Sequence, residues 1–272
     1  MKIINVIENK SHDQQILCEH GLSTYLEVNN KAVLFDVGQS DKFIHNAHAL
    51  GIDLKNIDYV ILSHGHYDHT GGLPSFLKIN SKAKVIMHTD AFKERFSRSA
   101  NMIKSNGIPW KEEWKTFADR IQFIDKTVEL FTDFWVVTNL TSAGQTPILN
   151  QRLVYKNENE YMPDPFEDEV VVVAKENDHT ALLSGCAHNG IVNITETIKS
   201  QLGIDQYSFI GGGLHLNGRS EEEIKNVIEG LKTIRVDQWG LNHCTGDEAI
   251  TLFEQFFHHK VITFNSGARI EF

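Results

Sequence analysis

The stretch "DYVILSHGHYDHTGGL" from Asp58 to Leu73 constrains this chain more than any other. Its first half is a short apolar run bounded by polar residues, the pattern of a strand buried on both faces. Its second half sets three histidines and an aspartate into the six residues from His64 to His69. Residues two apart in extended chain point to the same side, so His64 and His66 can grip one cation together. Asp68 and His69 lie a turn further on and can face a second position. Gly65 permits an unusual backbone between the ligands, and Gly71 and Gly72 let the chain turn back closely past the site. Imidazole with carboxylate suits zinc foremost, with manganese or iron possible, and calcium poorly. The plainer alternative is a polar loop whose histidines cap a helix or line the surface; the density of donors directly after a buried strand argues against it.

Around this loop, strand-like and helix-like segments alternate. "KIINVIEN", "STYLEVNN" and "KAVLFDVG" read as strands, and "DKFIHNAHALG" as a helix with Phe43, Ala47 and Leu50 inward and Gly51 at its end. "AKVIMH" reads as a neighbour of the strand before His64. The second half adds a hairpin in "DEVVVVAKENDHTALLSG", a helix in "NGIVNITETIKSQLG" and a strand in "YSFIGGGLHL". Ser220 and Glu223 are spaced as a capping box ahead of the stripe Ile224, Val227, Ile228 and Leu231. The strands "VDQWGLNH" and "KVITFNSGARIEF" flank a last helix, "DEAITLFEQFF". Strands early in each half and helices after them suggest two sheets packed face to face with helices outside.

Two segments differ in texture. Residues 90–125 are rich in charge and aromatics, with Trp110, Trp114 and Phe117 at helical spacing. They read as a helical insertion packed on the core, or else as a lid lending aromatics to a pocket. "NENEYMPDPFEDE" reads as an acidic, proline-broken, solvated connection.

Composition narrows the partners. A net charge of −10 disfavours a nucleic-acid backbone, yet leaves room for a small anionic substrate, because bound cations dominate the field of a pocket. Cys18, Cys186 and Cys244 are too scattered for a disulfide framework. No apolar run reaches membrane-spanning length, and "MKIINVIENK" lacks a secretory segment, so no membrane association and a cytoplasmic location are expected.

The pattern H-x-H-x-D-H followed by "TGGL", with "VILS" and "LFDVG" upstream, resembles the metallo-β-lactamase superfamily. The resemblance covers the chain from about Ser23 onward. It implies an α/β fold, a four-layer αββα sandwich forming one domain over residues 1–272, with the metal site at an edge between the sheets. It also implies that Asp36 orients the metal loop, although alone Asp36 reads equally as a turn residue before Gly38.

Further donors follow from the second half. His188, His215 and His243 each fall where an apolar strand gives way to a loop, as His64 and His66 do. The expected ligands are therefore His64, His66 and His188 for one cation, and Asp68, His69 and His243 for the other, with occupancy by one ion or by two both open because a bridging carboxylate is missing. His215 is expected to touch substrate and supply acid/base catalysis, and Asp68 to orient the attacking group as well. The better-known hydrolases carry a histidine where this chain has Gln145 and a bridging aspartate where it has Cys186. Cys186 either bridges as a thiolate or simply packs beside the cations, and it is not counted among the ligands. "SGCAHNGIVN", "GGLHL" and "HCTG" together resemble the subgroup described as 7,8-dihydropterin-6-methyl-4-(β-D-ribofuranosyl)-aminobenzene-5′-phosphate synthases.

The expected function is thus metal-dependent chemistry on a small phosphorylated or ester-like substrate, by a hydrolase or by a synthase (transferase) acting on a pterin. In the synthase, Trp110 or Trp114 would offer a flat slot. Two rivals stand beside it: an iron-dependent redox enzyme, for which no flavin-binding segment is found, and a non-catalytic metal-stabilised ligand-binding protein.

Overall fold

The computed structural model describes residues 1–140 and 150–272. Gln145 lies outside the described residues. One seven-stranded sheet runs in the order Arg269–Glu271, Lys2–Ile7, Ser23–Val28, Lys31–Phe35, Tyr59–Ile61, Lys84–His88, Ile121–Ile124. A second runs Val261–Thr263, Arg235–Leu241, Gln206–Gly212, His179–Ser184, Val171–Glu176, Phe134–Val137, Val128–Phe131.

Three apolar clusters show how these sheets are layered. Ile3, Val33, Phe35 and Ile61 of the first sheet meet Val172, Leu183 and Phe209 of the second in one cluster. Their chain neighbours point the other way. Ile4, Leu34 and Val60 pack with Phe43, Ala47, Leu73 and Phe76, which lie on the helices Lys42–Ala49 and Leu73–Ile79. Val173 and Leu182 pack with Ile194, Ile198, Ile228 and Phe253 from the helices Ile191–Leu202, Glu221–Gly230 and Asp247–Phe257. Alternation between faces thus explains the unbroken apolar runs: each strand is covered on both sides. The result is the αββα sandwich. The capping box at Ser220 and Glu223 forms as the spacing predicts.

Two segments depart from expectation. Residues 90–125 hold short 3-10 turns and strands in place of an α-helix. Arg95–Arg98 and Ile103–Ser105 join Leu153–Asn157 and Glu160–Pro163 in a four-stranded sheet. The aromatic spacing is met by a 3-10 segment, Trp114–Arg120, in which Phe117 leaves helical geometry. Trp110 stacks edge-on to Phe92 and Phe117, and its indole donates to Thr70 O at 2.7 Å. Trp110 therefore belongs to the core beneath the first sheet's helices, and Trp114, partly buried, packs against it.

The acidic segment is the second departure. Its latter half is buried rather than solvated: Asp164, Phe166, Asp168 and Glu169 are each no more than 3% exposed. Arg95, equally buried, donates to Asp164 Oδ2 at 2.7 Å and Asp168 Oδ1 at 2.6 Å, so the carboxylates enter the interior already paired.

Candidate metal centre

Parallel strands deliver their ends to one edge. Lys31–Phe35 and Tyr59–Ile61 pair in parallel in the first sheet, as do His179–Ser184, Gln206–Gly212 and Arg235–Leu241 in the second. Immediately beyond these ends stand Asp36, His64, Cys186, His188, His215 and His243. Four exits turn through left-handed backbone at residues other than glycine: Asp36 (φ 62°), Ala187 (54°), His215 (50°) and His243 (51°). Such conformations cost about 1–3 kcal/mol each and collect where side chains must be aimed for a purpose.

The first donor group is His64, His66 and His188. His64 Nε2 lies 3.0 Å from His66 Nδ1 and 3.3 Å from His188 Nε2. Burial, then crowding by the other imidazoles, pushes His64 and His188 well below the ordinary imidazole range, and burial takes His66 down to about 3. All three are therefore neutral near pH 7 and present lone pairs, the state a cation requires.

The second group is Asp68, His69 and His243. His69 Nε2 and His243 Nε2 are 3.2 Å apart, with Asp68 Oδ2 at 3.6 and 3.5 Å from them. Asp36 Oδ2 accepts from His69 Nδ1 at 2.6 Å and from Ser63 Oγ, which in turn contacts His64 Nδ1 at 2.9 Å. Asn9 Oδ1 accepts from His243 Nδ1 at 3.0 Å. These bonds fix tautomers in which the two Nε2 lone pairs face each other, an arrangement that only a proton or a cation between them relieves. Burial opposes charge on His69, yet Asp36 and Asp68 push it up to about 9, so a proton fills the position when no cation does. Asp68 is held far below the usual carboxylate range, against burial, by His69 and His243. The donor chemistry fits a pair of divalent cations.

All six residues expected from the sequence as ligands thus come together, and Asp36 stands where it can orient the loop. His215 is adjacent, its ring 4.3 Å from that of His188. The Cys186 sulfur lies 3.2 Å from His69 Nε2.

Several neighbours escaped the sequence. Glu169 accepts from the backbone N–H groups of His188 (2.7 Å) and Asn189 (2.8 Å), and burial pushes it up to about 7. Asp168 Oδ2 accepts from Gly65 N at 2.7 Å. A Cβ on Gly65 would sit 2.1 Å from Ala91 O, so the loop needs glycine there for close approach. Phe166 stacks on His188 with centroids 3.6 Å apart and planes 5° from parallel. His20, more than half exposed, reaches Asp68 Oδ2 at 3.3 Å. Glu8 accepts from His243 N. Only the position of "PFEDE" just before an apolar strand hinted at any of these.

A cavity of about 230 Å³ opens beside His188 and His215. Its walls include Ile191, Leu214 and Val227, with Arg219 and Glu223 among its polar groups. Among the described residues the buried His215 Nδ1 has no oxygen or nitrogen partner within hydrogen-bond distance, while Asn150 Nδ2 lies 3.4 Å from Nε2. With Asn150 donating, the imidazole proton sits on Nδ1.

The chain is similar to known proteins in sequence and in fold. Residues 17–148 match the family model described as the metallo-beta-lactamase superfamily. Over its whole length the chain is 28% identical to a 7,8-dihydropterin-6-methyl-4-(beta-D-ribofuranosyl)-aminobenzene-5'-phosphate synthase of Methanocaldococcus jannaschii, covering 97% of that protein. A crystal structure of a metal-dependent hydrolase of the beta-lactamase superfamily superposes with a TM-score of 0.84 at 28% identity, covering 100% of this chain and 99% of the other. The short form of human tRNase Z shares the fold, with a TM-score of 0.58 at 12% identity over 100% and 99% of the two chains.

Proposed function

The chain belongs to the metallo-β-lactamase superfamily, and from that premise we propose that it transfers or hydrolyses a small phosphorylated substrate at a pair of divalent cations, zinc foremost. The observation that carries this reading is the convergence of His64, His66 and His188 beside Asp68, His69 and His243 as lone-pair donors. His64, His66 and His188 would hold one cation, and Asp68, His69 and His243 the other; manganese or iron would suit the same donors. When bound, such cations supply Lewis acidity to oxygens of the substrate. The reading takes residues 1–272 as one domain, supported by pairing of Lys2–Ile7 with Arg269–Glu271 and by Asn9 holding His243.

The rest of the chemistry falls to the chain. Asp36 fixes the His69 tautomer, and Glu169 fixes the backbone at His188. His215 lines the adjoining cavity with its ring 4.3 Å from that of His188, which places it to exchange a proton with a leaving group there. The apolar walls beside His215 exclude water from an aromatic group. The name borne by the Methanocaldococcus relative makes a dihydropterin diphosphate with a ribosyl-aminobenzene phosphate the first substrate pair to try.

A net charge of −10 favours a small substrate over nucleic acid, and among the described residues no helix is long and apolar enough to cross a membrane. Three unpaired cysteines suit a reducing compartment, and we place the protein in the cytoplasm.

The test is turnover by metal-loaded protein of the pterin pair, phosphodiesters, phosphonates and lactones, with His66→Ala as control. Turnover of a phosphorylated member, lost in the control, is expected. Equal turnover by parent and control would remove the ligand assignment.

A further inference from the structure

Asn106, from the segment of residues 90–125, stands against the metal loop and is only 8% exposed. Its backbone is pinned on both sides. Its N–H donates to Arg95 O at 3.0 Å, and its carbonyl accepts from the N–H of Tyr67, the residue after His66, at 3.0 Å. Its amide Nδ2 lies 3.3 Å from His66 Nε2. Among the described residues its buried Oδ1 has no hydrogen-bond partner, so His66 alone among them decides which way the amide is turned.

The two nitrogens of His66 face different neighbours. Nδ1 lies 3.0 Å from His64 Nε2, inside the first donor group, and Nε2 faces Asn106. Ser63 Oγ donates to Asp36 Oδ2, so it accepts from His64 Nδ1–H and leaves a lone pair on His64 Nε2. Without a cation the His66 proton therefore belongs on Nδ1, donating to His64, while the Nε2 lone pair accepts from the Asn106 amide. A cation gripped by Nδ1 needs the opposite tautomer, with the proton on Nε2. A half-turn of the amide then offers Oδ1 to that N–H, because amide oxygen and nitrogen have nearly the same shape.

We propose that Asn106 is the positioning residue of His66, donating to Nε2 in the metal-free chain and, turned over, accepting from Nε2–H when Nδ1 holds the first cation. The inference rests on the cation reading of the site. The ring stays neutral throughout: Nδ1 gives one proton to solvent, Nε2 takes one from solvent, and no electrons are transferred. Asparagine suits this task because it offers a donor and an acceptor at one place, whereas aspartate offers acceptors alone and alanine neither. The pinned backbone keeps the amide within reach in both orientations.

The experiment records imidazole nitrogen NMR spectra and zinc affinity of the full chain, for the parent, Asn106→Ala and Asn106→Asp, with His66→Ala identifying the His66 signals. The parent should carry the His66 proton on Nδ1 without zinc and on Nε2 with it. Asn106→Ala should bind zinc at the first position about 10–100-fold more weakly. Asn106→Asp should recover that affinity and hold the proton on Nε2 even without zinc. A His66 proton that stays on one nitrogen in the parent would overturn the proposal while leaving the cation reading in place. So would parent-like affinity in Asn106→Ala, or an equal loss in the alanine and aspartate variants. A parent that binds no zinc, or a His66→Ala variant that binds as much as the parent, would remove both. The parent spectra alone decide the matter should an Asn106 variant fail to fold.

Discussion

His69 and His243, brought from opposite halves of the chain, point their Nε2 atoms at each other across 3.2 Å. Each is locked in that pose from behind, His69 by Asp36 and His243 by Asn9. A contact of this kind is unfavourable unless something positive lies between, so folding of the two halves and occupancy of the site are linked.

That linkage predicts a thermal signature. Exhaustive chelation should lower Tm, and readdition of zinc should restore it, with a rise that grows with free metal concentration. Scanning calorimetry at several zinc concentrations checks this; a Tm indifferent to chelator and zinc would count against it.

Asp36 offers a test of orientation without loss of a ligand. In Asp36→Asn the bonds to Ser63 and His69 are weakened while His64, His66 and His243 remain. Metal affinity should fall about 10–100-fold, measured by competition with a chelating dye.

Arg95 holds Asp164 and Asp168, and Asp168 holds Gly65. Arg95→Met leaves two buried carboxylates uncompensated, and stability should drop by about 3–5 kcal/mol in denaturant unfolding. A change below about 1 kcal/mol would mean that these carboxylates carry no charge to compensate.

The two aromatic environments should separate kinetically. Phe166 stacks on His188, so Phe166→Ala should change KM or kcat for the substrate found. Trp110 packs under the first sheet, so Trp110→Phe should alter Tm while leaving KM within about twofold. Kinetics on both variants, with Tm measured alongside, distinguishes pocket from core.

Much of this was legible because strand ends and metal donors leave local marks. His64, His66, Asp68 and His69 are crowded into one loop, and His188, His215 and His243 each follow an apolar run. The faces of Ile3 against Ile4, or Leu182 against Leu183, follow from alternation alone. What stayed hidden depends on partners distant in sequence. Asp168 and Glu169 read as solvated because their stabilisers, Arg95 and the N–H groups of His188 and Asn189, are 73 and roughly twenty residues away. The aromatic spacing at Trp110 and Trp114 mimicked a helix, but packing around Phe92 overrode it with 3-10 geometry.

The most direct measurement is metal content by mass spectrometry of the parent chain, His188→Ala and His243→Ala, each dialysed against limiting zinc. The account predicts two ions per parent chain and no more than one in either variant. Two ions retained in both variants would contradict it.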